Sequence, residues 1–183
     1  MTHPRAESTI PSAASQIGSL VHRVLAQPGM TLDTAWQDTL FFPPVPEKEK
    51  ERIAKLLEQF QNSPQGKALT AAKTIYRELP FVLSLEGTQV DGIIDCLYQD
   101  TTGSWTVLDY KTDQIKSTGV QDRARTYETQ IKIYGAACLQ ILNLDEIQLA
   151  LHFLSPNITQ TQKFTKPAAA RFLQDLAQKL KTP

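Results

Sequence analysis

Cysteine is scarce in this chain: Cys96 and Cys138 are the only two among 183 residues. Two thiols so far apart give neither a disulfide framework nor the ligand spacing of a structural zinc site. Both lie in apolar segments, so they are expected to be buried thiols in a reducing cytoplasm. There is no apolar run of about 18 residues, which excludes a membrane-spanning helix. The N-terminus lacks the charged-then-apolar layout of a signal peptide. Excess charge is also missing, with 19 basic against 19 acidic residues. A strong free-standing nucleic-acid binder normally carries an excess of Lys and Arg, so tight intrinsic binding is not expected. The C-terminal stretch is more basic, with Lys163, Lys166, Arg171, Lys179 and Lys181 against Asp175. That pattern fits a solvated helix face. Gln65-Gly66-Lys67 resembles half a phosphate loop, but it lacks the first glycine and runs into Ala68. It is no Walker motif, and no ATPase is expected.

A hydrophobic content of 41% over this length suits one globular domain. Residues 1–15 are rich in Pro, Ser and Thr and read as a linker or a frayed start, leaving 16–183 as the domain. A helix is predicted from about Ser12 to Gln27, with Ile17, Leu20, Val21, Val24 and Leu25 as its apolar stripe and His22 just off it. A second helix is expected over Thr31–Leu40, closed by Phe42-Pro43-Pro44. Glu47–Phe60 patterns as a charged amphipathic helix with Ile53, Leu56, Leu57 and Phe60 inward. Val120–Leu142 reads as one long helix, and Pro167–Leu180 as a closing one that has its proline in the first turn. Between and after these lie the apolar runs of a meander, then strands at Glu146–Leu154 and Ile158–Phe164. The predicted class is α/β, with a mixed central β-sheet flanked by helices.

The chemistry concentrates between Arg77 and Lys111. Glu86-Gly87 is a two-residue hairpin signal between apolar runs, and Asp100–Ser104 with Gly103 is a second turn. Folding about the first turn places Glu78 opposite Asp95, and folding about the second places Asp95 opposite Asp109. GIIDCLY and WTVLDY are apolar on both faces, as central strands are. Three acids in a row across such strands would repel one another, and a buried carboxylate is rarely left unpaired. A divalent metal would neutralise the row. Lys111, two residues past Asp109, alternates onto the same face. Carboxylates and a lysine around a hard cation form a phosphodiester-cutting arrangement. On the long helix, Tyr127, Gln130 and Tyr134 share one face at i, i+3 and i+7. Two aromatics at that spacing suit a core; a glutamine between them needs a polar partner.

GSLVHRVL, RELPF, VDGIIDCL, VLDYKTD and YETQIKIY, in that order, resemble the RecB/AddA-type nuclease domain of the PD-(D/E)xK superfamily. The resemblance covers about residues 16–154 and implies a restriction-endonuclease-like core. It also implies that His22, Asp95, Asp109 and the backbone carbonyl of Tyr110 are metal ligands. Lys111 would be the catalytic lysine, and Glu78 the acid of the first strand, supporting a second ion or holding the lysine. Tyr127, Gln130 and Tyr134 would be the Tyr/Gln helix beside the site. Mg²⁺ is the implied ion, with Mn²⁺ able to replace it. The iron–sulfur cluster that some relatives carry on four cysteines cannot be built here. The expected activity is metal-dependent hydrolysis of DNA, single-stranded and delivered by a helicase domain or subunit, in the processing of double-strand breaks. A free-standing exonuclease or restriction-like endonuclease is one alternative. A non-catalytic DNA-binding module is another, disfavoured because binding alone gains nothing from repelling carboxylates.

Overall fold

The structure is a computed structural model that describes residues 13–37 and 46–181. Five strands form one sheet in the order β1-β2-β3-β4-β5: β1 Thr74–Leu85, β2 Thr88–Gln99, β3 Trp105–Lys111, β4 Glu146–Phe153 and β5 Ile158–Thr165. All neighbours are antiparallel except β3 and β4, which run parallel. That parallel pair requires a crossover, and the helix α5 (Val120–Ile141) supplies it. The sheet is mixed and flanked by helices, as its sequence pattern implies.

Each face of the sheet closes its own core. On one side α5 and α6 (Lys166–Lys181) pack against Leu83, Val107, Leu149 and Phe153. On the other, α1 (Ala13–Ala26), α2 (Leu32–Gln37), α3 (Glu47–Asn62) and α4 (Pro64–Thr70) cover Cys96, Leu108, Tyr110 and Ala150. The predicted stripes are the buried ones: Ile17, Leu20 and Val21 on α1, and Ile53, Leu56, Leu57 and Phe60 on α3. Strand β3 is buried on both faces from Thr106 to Tyr110. Fully burying a side chain of the size of Val107 or Leu108 stabilises the fold by roughly 1.5–3 kcal/mol. No helix among the described residues is long and apolar enough to cross a membrane. Cys96 and Cys138 are both buried and free, and burial pushes each thiol up to about 12.

One helix lies outside the predicted set. Gln65-Gly66-Lys67 lies inside α4, a helix the sequence pattern did not reveal; Ser63 caps it by accepting the Gly66 N–H at 3.0 Å. Strand β1 begins at Thr74, ahead of the acid-bearing stretch. The described part of the second helix is Leu32–Gln37; the loop at Phe42-Pro43-Pro44 and residues 1–12 lie outside the described residues. Several of the C-terminal basic residues are spoken for in the fold: Lys163 pairs with Glu146, Lys181 with Glu86, and Lys166 bonds Asn143.

Candidate active site

Both predicted turns set the predicted register. At the first, Leu85 pairs with Thr88, and Glu86 and Gly87 take positive φ (46° and 90°), as a type I′ turn requires. At the second, Gln99 pairs with Trp105, and the Asp100 carboxylate accepts the Thr102 and Ser104 N–H groups across the turn. Glu78 therefore falls opposite Asp95, between the ladder pairs Arg77–Cys96 and Leu79–Ile94. Asp95 and Asp109 come one step beyond the last β2–β3 pair, Cys96–Leu108.

The acids nevertheless do not form the flat row expected of an ideal sheet. Glu78 has φ +47°, a left-handed conformation that is uncommon for a side chain bearing a Cβ. The ladder skips this rung, and both strands change the face they present across it. Leu79 and Ile94 pack toward α5, whereas Cys96, only two residues on, packs toward α1 and α3. The distortion frees Asp95 from the ladder; its Oδ2 accepts the Tyr110 N–H at 2.8 Å. Asp95, Glu78 and His22 gather instead into a compact group whose ligand atoms lie within 4.8 Å of one another. Asp109 stands beside that group rather than within it.

His22 reaches the group from α1. Its Nε2 lies 3.0 Å from the Tyr110 carbonyl oxygen and its Nδ1 3.2 Å from Asp95 Oδ1. Both neighbours only accept hydrogen bonds, so the imidazolium form suits them best. Burial pulls its pKa down, but the Asp95 carboxylate outweighs it and the net shift is upward. A metal ligand must be neutral, so binding an ion here would expel a proton from His22. Burial, then the charge on Asp95, raises Glu78.

Asp109 is 1% exposed. Burial foremost, and then Asp95, pushes it up to about 6, against the pull of Lys111. The Lys111 ammonium lies 2.6 Å from Asp109 Oδ2. That ammonium is the one partner found for the buried Oδ2 among the described residues. A buried carboxylate paired with one ammonium, beside two further carboxylates, an imidazole and a carbonyl, is a donor set that fits a divalent cation.

The lysine is held from α5. Lys111 Nζ donates to Gln130 Oε1 at 2.9 Å, and Gln130 Nε2 donates to the Tyr134 hydroxyl at 2.8 Å. Tyr134 in turn sets its ring edge-on to Phe81. The ammonium also sits 4.1 Å from the centroid of the Tyr127 ring. The two tyrosines expected as core residues thus bracket the glutamine and contact the polar cluster as well. Glu78, expected either to support an ion or to hold the lysine, stands with His22 and Asp95, and Lys111 finds its partners elsewhere. The sequence reading overlooked Asp113 and Arg123. Arg123 Nε donates to Asp113 Oδ1 at 2.7 Å, and both residues bond the Tyr127 hydroxyl. The available signals were the position of Asp113 two residues past Lys111, and that of Arg123 one helical turn before Tyr127.

The model of the PD-(D/E)XK nuclease superfamily matches residues 3–182. The chain belongs to that superfamily. An ATP-dependent helicase/nuclease subunit from Bacillus velezensis is 36% identical to this PD-(D/E)XK chain over 128 residues, which is 58% of the chain and 10% of the relative. The corresponding protein of Lysinibacillus sphaericus is 33% identical over 109 residues, 54% of the chain and 9% of the relative. That of Pelotomaculum thermopropionicum is 28% identical over 140 residues, 69% and 11% respectively. The match thus spans about a tenth of these relatives' length. A solved structure from Eubacterium rectale, which carries a provisional name as an exonuclease, superimposes with a TM-score of 0.61 at 13% identity. That alignment covers 94% of this chain and 66% of the other, a likeness of fold.

Proposed function

We propose that this PD-(D/E)XK domain, spanning residues 16–183, is a Mg²⁺-dependent deoxyribonuclease, with Mn²⁺ able to substitute. It works in the cytoplasm on single-stranded DNA supplied by a helicase domain or subunit, in double-strand break processing. The observation that carries this reading is the buried Asp109–Lys111 pair beside His22, Glu78 and Asp95. A non-catalytic module would gain nothing from burying a carboxylate whose charged form the fold disfavours.

Asp95, Asp109, His22 and the Tyr110 carbonyl would hold the ion, with Glu78 supporting its shell from β1. Such an ion polarises a phosphate and lowers the pKa of a water bound to it. Lys111 offsets the negative charge that builds on the phosphate and orients the attacking water. Gln130 and Tyr127 keep the ammonium from swinging to solvent. The zero net charge leaves little long-range pull on DNA, which suits a domain whose strand is delivered to it. The kinship with helicase/nuclease subunits supports the same reading.

The test is cleavage of linear and circular single-stranded DNA with Mg²⁺, with Mn²⁺ and in chelator. We expect metal-dependent cutting; full activity in chelator would sink the metal-site assignment. Circular DNA left intact while linear DNA is degraded would identify an exonuclease.

A further inference from the structure

Asp113 lies two residues beyond Lys111, in the irregular stretch between β3 and α5. Its carboxylate accepts from Arg123 Nε at 2.7 Å and from the Tyr127 hydroxyl, which is 3.1 and 3.0 Å from its two oxygens. The same hydroxyl accepts from Arg123 Nη2 at 3.0 Å. The Asp113 side chain is 14% exposed, while that of Arg123 is 43% exposed. The triad closes on one target: the Tyr127 ring, which lies 4.1 Å below the Lys111 ammonium and leans on Phe153.

We propose that Asp113, neutralised by Arg123, is a positioning residue that clips the Tyr127 hydroxyl and so keeps the aromatic face under Lys111. The inference rests on the nuclease reading above, since Lys111 is the residue being positioned. Three physical points support it. The Tyr127 face attracts the ammonium by a cation–π contact, which is lost if the ring swings away. A bare carboxylate two residues from Lys111 would compete with Asp109 for its ammonium, and the Arg123 guanidinium cancels that competition. Fixing the ring at its hydroxyl end and at Phe153 removes the rotamer freedom that would let Lys111 drift, and small displacements of a reacting group are costly in rate.

A loop-to-helix staple with no bearing on Lys111 is the competing account, and a mutant cycle separates the two. Wild type, Asp113→Asn, Tyr127→Phe and the double variant are compared for cleavage of linear single-stranded DNA with Mn²⁺, and for melting temperature. The clip predicts that each single variant lowers kcat about tenfold to a hundredfold with little change in KM. The double variant should be no slower than the worse single one, because both act on the same ring. Losses that multiply, or that follow melting temperature rather than kcat, would overturn the clip.

A second arm needs no activity. The Lys111 Cε protons, bonded next to the nitrogen that lies 4.1 Å from the ring centroid, should carry an upfield ring-current shift in the NMR spectrum of the wild-type chain. That shift should shrink in Asp113→Asn and, should that variant fold poorly, in Arg123→Ala. An unchanged shift in a folded variant overturns the proposal. A wild-type chain that cuts no DNA sinks the nuclease reading instead, while the shift still decides whether the clip exists.

Discussion

Asp109 is the residue where structure and titration meet. Its pKa in the fold is raised from 3.8 to about 6, chiefly by burial and then by Asp95. An acid raised in the fold binds its proton more tightly when folded than when unfolded, so stability falls as pH climbs between the two values. Below about pH 4 Asp109 makes no difference; from about 4 to 6 it progressively destabilises the metal-free protein; above 6 the penalty stays constant. Asp109→Asn, a neutral isostere, should therefore stabilise the metal-free fold at pH 7 by on the order of 1–3 kcal/mol and flatten its pH dependence between 4 and 6. Denaturant melts at several pH values in chelator check this, and a variant less stable than wild type at pH 7 would contradict it. Lys111 tests the other half of the pair. Lys111→Ala should cut turnover by orders of magnitude, yet metal affinity should be kept or raised, because a positive charge beside the carboxylates has gone. Titration calorimetry showing lost metal binding would make Lys111 part of the metal shell rather than the phosphate's counter-charge.

At the level of elements, much of this architecture can be read from local chemistry. Glu86-Gly87 and Asp100–Ser104 dictate their turns through positive φ and a capping carboxylate, and the turns alone carry the β1–β2–β3 register. The stripes of α1 and α3 are equally plain. Periodicity could not show the break at Glu78, because a left-handed residue inside a strand is imposed by its surroundings and leaves no compositional mark. It could not raise His22 above an ordinary off-stripe histidine either; only the order of the motifs did so. Helix α4 went unread because its few residues form no amphipathic repeat, and its glycine looked like a loop residue. Packing explains that glycine. A Cβ on Gly66 would stand 2.1 Å from the Phe60 carbonyl oxygen and 2.9 Å from the Gln61 Cα, both backbone atoms at the end of α3 that cannot step aside. Gly66→Ala would gain about 1 kcal/mol of helix propensity, but the collision should cost about 1–3 kcal/mol or more. A net loss of stability in a urea melt is expected. An alanine variant as stable as wild type would mean that α4 packs differently on α3.

Over the whole molecule, the candidate site draws on five elements and both faces of the sheet: α1, β1, β2, β3 and α5. Four of these are tied together by a ladder or by a broad apolar core. Helix α1 packs its apolar stripe into the opposite core, and its polar link to the site is His22, through the Tyr110 carbonyl and Asp95, with Arg77 adding a bond to the Leu25 carbonyl. A divalent ion would replace the two His22 contacts by one ligand bond shared with the strands, so its binding should stiffen α1 more than any other element. Ligand at a hundred times its Kd stabilises the folded state by about 2.7 kcal/mol, enough to raise the melting temperature measurably. Amide hydrogen exchange should slow in α1 on adding Mn²⁺, well beyond the slowing in α6, which contributes no residue to the site. His22→Ala should remove the extra protection of α1 while leaving part of the melting-temperature rise, because Asp95 and Asp109 can still bind metal. Asp109→Ala should remove the rise itself. If exchange slowed equally in α1 and α6, or if His22→Ala left the α1 protection intact, the ion would bind without engaging the first helix, and His22 would be a structural tether of α1 alone.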